Sequence, residues 1–310
     1  MTDRPASRNK KFTYPRLRTW LTWLGLLLIL GMGGYFRLVG ADWDKDHHLH
    51  PDERFLTMVT SAIASPAWDS ILTDDLDSRI GSQPGSIHRL VTLLTHWQGY
   101  FDTASSSLNP HNRGYGFYVY GTFPLFFIRY TAEWFDLTSY GENYLLGRKI
   151  SASFDLGTVL LVFLIAQRLM KRNWLALLAA AFAAFSVLPI QHAHFYVVDT
   201  FANFFIYLAF FFAVLIATRK GALIPAGAPL SEEPLPSTGE ENSASQAGIT
   251  NSPSKSAREV SLGDIFRKNW GEGVIYILFA VAAGLAMACK ISTVPIVLLL
   301  PLSAFIQYWQ

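Results

Sequence analysis

Residues 200–218 read TFANFFIYLAFFFAVLIAT, an uncharged run held between Asp199 and Arg219. About 20 apolar residues in a helix cross the hydrocarbon core of a bilayer. A soluble helix of that length would show a polar face. The same pattern recurs outward along the chain. Residues 19–36 carry no charge between Arg18 and Arg37, and 173–191 carry none between Arg172 and His192. Residues 273–289 run uncharged from Glu272 to Lys290, and 291–310 run uncharged to the end. A sixth stretch, 150–167, is interrupted only by Asp155. The expected fold is an all-α polytopic membrane protein with about six transmembrane helices.

Composition agrees. Only 15% of residues are charged and 51% are apolar, where a soluble chain is about a quarter charged. So much apolar surface excludes global disorder. Cys289 is the only cysteine, which excludes a disulfide-built domain. A net charge of +2 gives no reason to expect nucleic acid.

Loop charge sets the orientation. With the N-terminus inside, six spans give the cytoplasm a basic tail at 1–18. They add Arg168, Lys171 and Arg172, and then Arg219, Lys220, Lys255, Arg258, Arg267 and Lys268. The outer side receives a loop at 41–147 with 13 acids against six bases, and a nearly neutral turn at 192–199. The stretch 114–128, GYGFYVYGTFPLFFI, contains a proline and is short for a span. It reads as an interfacial or re-entrant helix. A seventh span there would invert everything downstream. The apolar run after the basic start is longer than a signal-peptide core and lacks a small-x-small site, so a retained first helix is expected. The location expected is the cell membrane, multi-pass, with the N-terminus cytoplasmic and the active face extracytoplasmic.

The long outer loop is patterned. Phe55, Leu56, Val59, Ala62 and Ile63 fall on one helical face, and 86–101 forms a second amphipathic stripe. Such helices lie on the membrane surface. Residues 221–258 lack aromatics and are rich in Pro, Ser, Gly and Glu, which reads as a disordered cytoplasmic linker. It divides a transmembrane module at 19–220 from the last two helices at 259–310, where 259–272 reads as a short surface helix before the fifth span. Phosphate-loop, dinucleotide, HExxH and paired-CxxC patterns are absent from the sequence.

The densest polar cluster is ADWDKDHHLHPDER, residues 41–54. Pro51 suits the first position of a helix, which makes Asp52 and Glu53 first-turn acids. They either stabilise the helix dipole or present a general base to a hydroxyl. Asp199 closes QHAHFYVVDT at the mouth of the fourth span, either as an N-cap or as a second site acid. Asp155 is an intramembrane acid that must pair with a neighbouring helix or act. Lys290, at the outer end of the fifth span, is either a snorkelling anchor or a cation for a lipid phosphate. All eight histidines fall on the outer side. His48, His50, His192 and His194 keep a divalent-metal site open.

Four local matches make the layout resemble the N-terminal module of GT-C-fold membrane glycosyltransferases. The superfamily is that of protein O-mannosyltransferases and lipid A aminoarabinose transferases. The matches are HPDERF with Asp52-Glu53; Gly147-Arg148-Lys149-Ile150-Ser151 with LLVFLIAQRLMKR; SVLPIQHAHFYVVDT with Asp199; and GLAMACKIS with Lys290. The resemblance implies inverting transfer of a sugar from a polyprenyl-phosphate carrier to an acceptor hydroxyl on the outer face. Asp52 would be the general base, with Glu53 beside it. Arg148 and Lys290 are the cations available to the leaving phosphate, and Asp199 corresponds to an acid that helps hold a divalent cation in metal-dependent relatives. The partners implied are the lipid-linked donor, membrane lipids, and an acceptor protein or glycolipid. The chain ends at Gln310 without a polar tail and reads as the N-terminal portion of a longer enzyme. The alternatives are a non-enzymatic multi-pass transporter or assembly protein, and a metal-dependent lipid-linked hydrolase.

Overall fold

A computed structural model describes residues 15–65, 103–219 and 262–309. The expected tail (1–14), the stripe at 86–101 and the linker at 221–258 lie outside the described residues. Among those described, the fold is all helical: α1 (Pro15–Leu38), α2 (Pro51–Ala62), a 3₁₀ turn (Pro110–Arg113), α3 (Thr122–Phe135), α4 (Tyr140–Met170), α5 (Asn173–Phe185), α6 (Val187–Ala193), α7 (Val198–Ala217), α8 (Leu262–Cys289), a 3₁₀ segment (Ile291–Leu298) and α9 (Leu299–Trp309).

Every uncharged run is helical, but the runs are not equal. Four helical stretches are long and apolar enough to cross a membrane: Thr19–Leu38, Tyr140–Met170, Val198–Ala217 and Ile291–Trp309. The run at 173–191 is a helix pair, α5 and α6, bent by 55° at Ser186. Counted as one broken span it makes a fifth. The run at 273–289 is a shorter apolar stretch of α8, a helix that already starts at Leu262. The segment at 114–121 is irregular, and α3 has 14 residues, about 21 Å of helix. That is too short for a span; the helix expected over 114–128 forms only from Thr122 onward and runs on to Phe135.

α4 is the axis of the bundle. Its 31 residues reach about 46 Å, more than a bilayer core needs. Its first turns, from Tyr140, therefore project beyond the apolar stretch. α1 and α5 pack on one side of it and α7 on another, with α8 and α9 against α7. α5 presents Ala176, Ala180 and Ala184, all buried, at four-residue spacing. Small residues at that spacing let helices approach closely where no hydrophobic effect drives them together. On the other side of α1, Trp20, Leu24, Leu27 and Leu28 stay exposed, as a bilayer-facing surface requires. α2 and α3 cover the end where α4 begins, with Leu56, Ile128, Tyr196, Phe201 and Cys289 sharing one apolar core.

Candidate active site

Adjacent residues on a helix point about 100° apart, so the first turn of α2 sends its two acids different ways. Glu53 shares a face with the buried Leu56, Thr57 and Thr60 and is itself fully buried. Asp52 is half-exposed. His50 precedes the helix in extended conformation, and Pro51 starts it, as the sequence predicts.

Glu53 meets Arg148, two turns into α4. The Arg148 guanidinium donates from Nε and Nη2 to the two Glu53 oxygens at 2.7 and 2.6 Å. It donates from Nη1 and Nη2 to the two Asp44 oxygens, both at 2.8 Å. A further Nη1 bond reaches the Ala41 carbonyl at 2.8 Å. All five N–H groups of an arginine are thus engaged inside the protein, and the side chain is fully buried. The Tyr196 N–H adds a bond to Glu53 Oε1 at 2.9 Å. Burial raises the Asp44 carboxyl, but the hydrogen bonds from Arg148 and the Leu49 N–H, with the Arg148 charge, outweigh it and hold Asp44 below the usual carboxylate range. Lys45, Asp46 and His48 all take positive φ values of 46–66° in the loop that delivers Asp44. Such backbone costs about 1–3 kcal/mol per residue unless its surroundings hold it. Gly147 is required here: a Cβ would lie 2.5 Å from the Tyr196 ring.

The second cluster is wetter. Tyr120, in the irregular segment before α3, donates its hydroxyl to Asp52 Oδ1 at 2.9 Å. Burial, that hydrogen bond and the charges of Asp52 and Asp199 push the Tyr120 hydroxyl up to about 12. Both acids therefore act on one phenol. Asp199 lies in the first turn of α7 but caps nothing, since the helix begins at Val198 and Val197 makes no side-chain cap. The N-cap alternative does not hold. Asp199 instead accepts from Lys290 Nζ at 2.7 Å, in a pair whose side chains are 44% and 41% exposed. Lys290 is held at the end of α8 against the Tyr120 segment: Gly121 N–H donates to the Cys289 carbonyl at 3.1 Å. A Cβ on Gly121 would lie 2.2 Å from the Ala288 oxygen, so only glycine permits this approach.

The site residues of the sequence reading thus separate into two groups. Asp52, Asp199 and Lys290 assemble around Tyr120, which the sequence reading missed. Glu53 and Arg148 lock each other in the dry cluster, together with Asp44, also missed. Arg148 has no donor left for a phosphate.

Asp155 pairs with a neighbouring helix, as one of its two readings requires. Arg37 Nε donates to it, while the other Arg37 donors reach the carbonyls of Gly33, Ala183 and Ala184. The histidines do not converge. His48 lies 2.8 Å from Asp46 and packs on Tyr140 and Tyr144. His50 packs on Phe195. His194 sits between the carbonyls of Ile190 and Val39 at 2.8 and 2.9 Å. His192 lines a cavity that Asp199 lines as well. Among the described residues, no group of three or more His, Cys, Asp or Glu side chains is placed to hold a metal ion. These donor sets do not fit one.

Residues 106–224 match the family model of dolichyl-phosphate-mannose-protein mannosyltransferases. This is a GT-C-fold family of membrane glycosyltransferases that use a polyprenyl-phosphate sugar, and the glycosyltransferase reading of the sequence stands on it. The matched stretch holds Tyr120, Arg148 and Asp199; Asp52 precedes it and Lys290 follows it. No curated protein and no solved structure matched the chain.

Proposed function

We propose that the Asp52–Tyr120–Asp199–Lys290 cluster transfers a sugar from a polyprenyl-phosphate carrier to an acceptor hydroxyl on the outer face of the cell membrane, with inversion. The observation that carries this is a half-exposed acid, Asp52, bonded to Tyr120, whose phenol also feels the charge of Asp199, the partner of the half-exposed cation Lys290. Asp52 takes the proton of the acceptor hydroxyl as its oxygen bonds to the anomeric carbon. The bond from that carbon to the phosphate oxygen breaks, and the lipid phosphate leaves with the electron pair. Lys290 has three N–H donors and faces the phosphate charge that grows in the transition state, where a fixed cation contributes most. Asp199 orients Lys290. Glu53 and Arg148 set the position of α2, and with it Asp52, without touching substrate. The matched family's name points to mannose on dolichyl phosphate as the donor and to protein as the acceptor. The excess of acids in loop 41–147 and of bases in the opposite turns supports the outward orientation.

The test is transfer of radiolabelled mannose from polyprenyl-phosphate mannose to acceptor protein, in membranes holding the wild-type chain or Asp52→Asn. The variant keeps a partner for Tyr120 but no base, and general base catalysis contributes about 10²–10⁴-fold. Loss of that size is expected. Equal transfer by both chains would remove Asp52 from the reaction.

A further inference from the structure

α7 and α9 leave an apolar cleft toward the end of the bundle opposite the Asp52–Lys290 cluster. Its volume is about 290 Å³, near the lower end of the roughly 300–1,000 Å³ that small-molecule sites enclose. Residues 210, 213, 214 and 217 of α7 and 299, 302, 303 and 306 of α9 line it, which is the spacing of one face on each helix. Ala213, Ala217 and Ser303 are small and leave space that their larger neighbours do not fill. Phe210, Leu302 and Ile306, with Leu169 from the last turn of α4, stay 38–53% exposed.

Apolar faces are common on a membrane bundle, but this one ends at a fixed cation. Arg168, also in the last turn of α4, donates from Nε to Thr218 Oγ1 at 2.6 Å and from Nη2 to the Thr218 carbonyl at 3.0 Å. Those bonds hold the guanidinium beside Thr218, itself part of the cleft wall. Arg168 is exposed, and its Nη1 has no partner among the described residues. Lys171 and Arg172 follow, both exposed. The sequence has no acid between Asp155 and Asp199, in 200–219 or in 291–310, so the helices that line the cleft bring no carboxylate to that end.

A void against lipid forfeits dispersion contacts with its lining, and a hydrocarbon chain restores them. The unopposed cations then select a headgroup of net negative charge. Paired arginine donors suit a phosphate, and basic pockets between helices at the cytoplasmic face hold anionic headgroups in this way. We propose that the cleft seats one anionic phospholipid of the leaflet at that end, with its acyl chain between α7 and α9 and its phosphate on Arg168. In the proposed orientation that leaflet is the cytoplasmic one. Arg168 lies about 30 Å along α4 from Arg148, so the lipid is a structural partner of α4, α7 and α9 and not a substrate.

The test is native mass spectrometry of the full chain in mild detergent. It is titrated with dioleoylphosphatidylglycerol or with dioleoylphosphatidylcholine, which has the same chains and no net charge. One phosphatidylglycerol per chain should bind about tenfold more tightly than phosphatidylcholine. Arg168→Gln should weaken phosphatidylglycerol about fivefold, the share of one interfacial cation, and leave phosphatidylcholine unchanged. Ala217→Phe fills the cleft and should weaken both. The variants are compared at an unchanged melting temperature. If either unfolds, the wild-type chain decides: phosphatidylglycerol with a photoreactive group at the end of one acyl chain should label α7 and α9. Equal binding of the two lipids, labelling confined to other helices, displacement by polyprenyl phosphate at equal concentration, or a dimer of the chain that binds no lipid would each overturn the proposal.

Discussion

Arg148 and Lys290 are cations at the same end of the helix bundle; Arg148 faces two carboxylates and Lys290 one, each contributed by another helix or loop. Their surroundings differ. Arg148 is fully buried, with every donor engaged by Glu53, Asp44 and Ala41. Lys290 is 44% exposed, and Asp199 is its single acceptor among the described residues. A buried, saturated charge holds a structure and has nothing left to offer a substrate. A half-exposed ammonium with donors to spare can meet one. The same division runs between the neighbours Glu53 and Asp52: the first is enclosed in the dry cluster, and the second reaches toward solvent through Tyr120.

Each side of the contrast can be broken separately. The largest effect belongs to Arg148→Ala, which strands two buried carboxylates. Removing one partner of a buried pair costs about 3–5 kcal/mol. The variant should fail to accumulate as folded protein, read as a lost or sharply lowered melting transition in detergent. Next comes Lys290→Ala. An exposed pair with Asp199 contributes only about 0–1 kcal/mol to stability, so the melting temperature should barely move. The rate should fall about 10²–10³-fold, the loss seen when one transition-state donor is removed. The smallest effect is that of Tyr120→Phe. It deletes one hydrogen bond to a charged group, worth about 1.5–3 kcal/mol, and should slow transfer about tenfold to a hundredfold in a steady-state assay. A Tyr120→Phe chain that melts early but transfers normally would move Tyr120 from the site to the scaffold.

Much of this was legible in the sequence. The uncharged runs gave the helices, because a bilayer removes charge from whatever crosses it. Asp52, Asp199 and Lys290 were legible as acids and a cation at helix ends on one side. The inward turn of Glu53 left a signal too, since it stands three residues before Leu56 on the buried face of α2. Asp44 and Arg148 are 104 residues apart, and no periodicity announces such a pair. Tyr120 lies in an irregular segment with no repeat to place it. The break at Ser186 was hidden in a run of continuous hydropathy. The candidate histidines do not converge for a simple reason: proximity in sequence does not aim their rings, and those of His48, His50 and His194 found different partners.

The central claim is that one first turn holds a reacting acid and a structural acid side by side. Asp52→Asn and Glu53→Gln, compared in the same membranes for sugar transfer and in the same detergent for melting temperature, test it most directly. Asp52→Asn is expected to melt like wild type and lose transfer about 10²–10⁴-fold, and Glu53→Gln to melt markedly earlier because Arg148 loses a charged partner. A stable, inactive Glu53→Gln chain beside an active Asp52→Asn chain would contradict it.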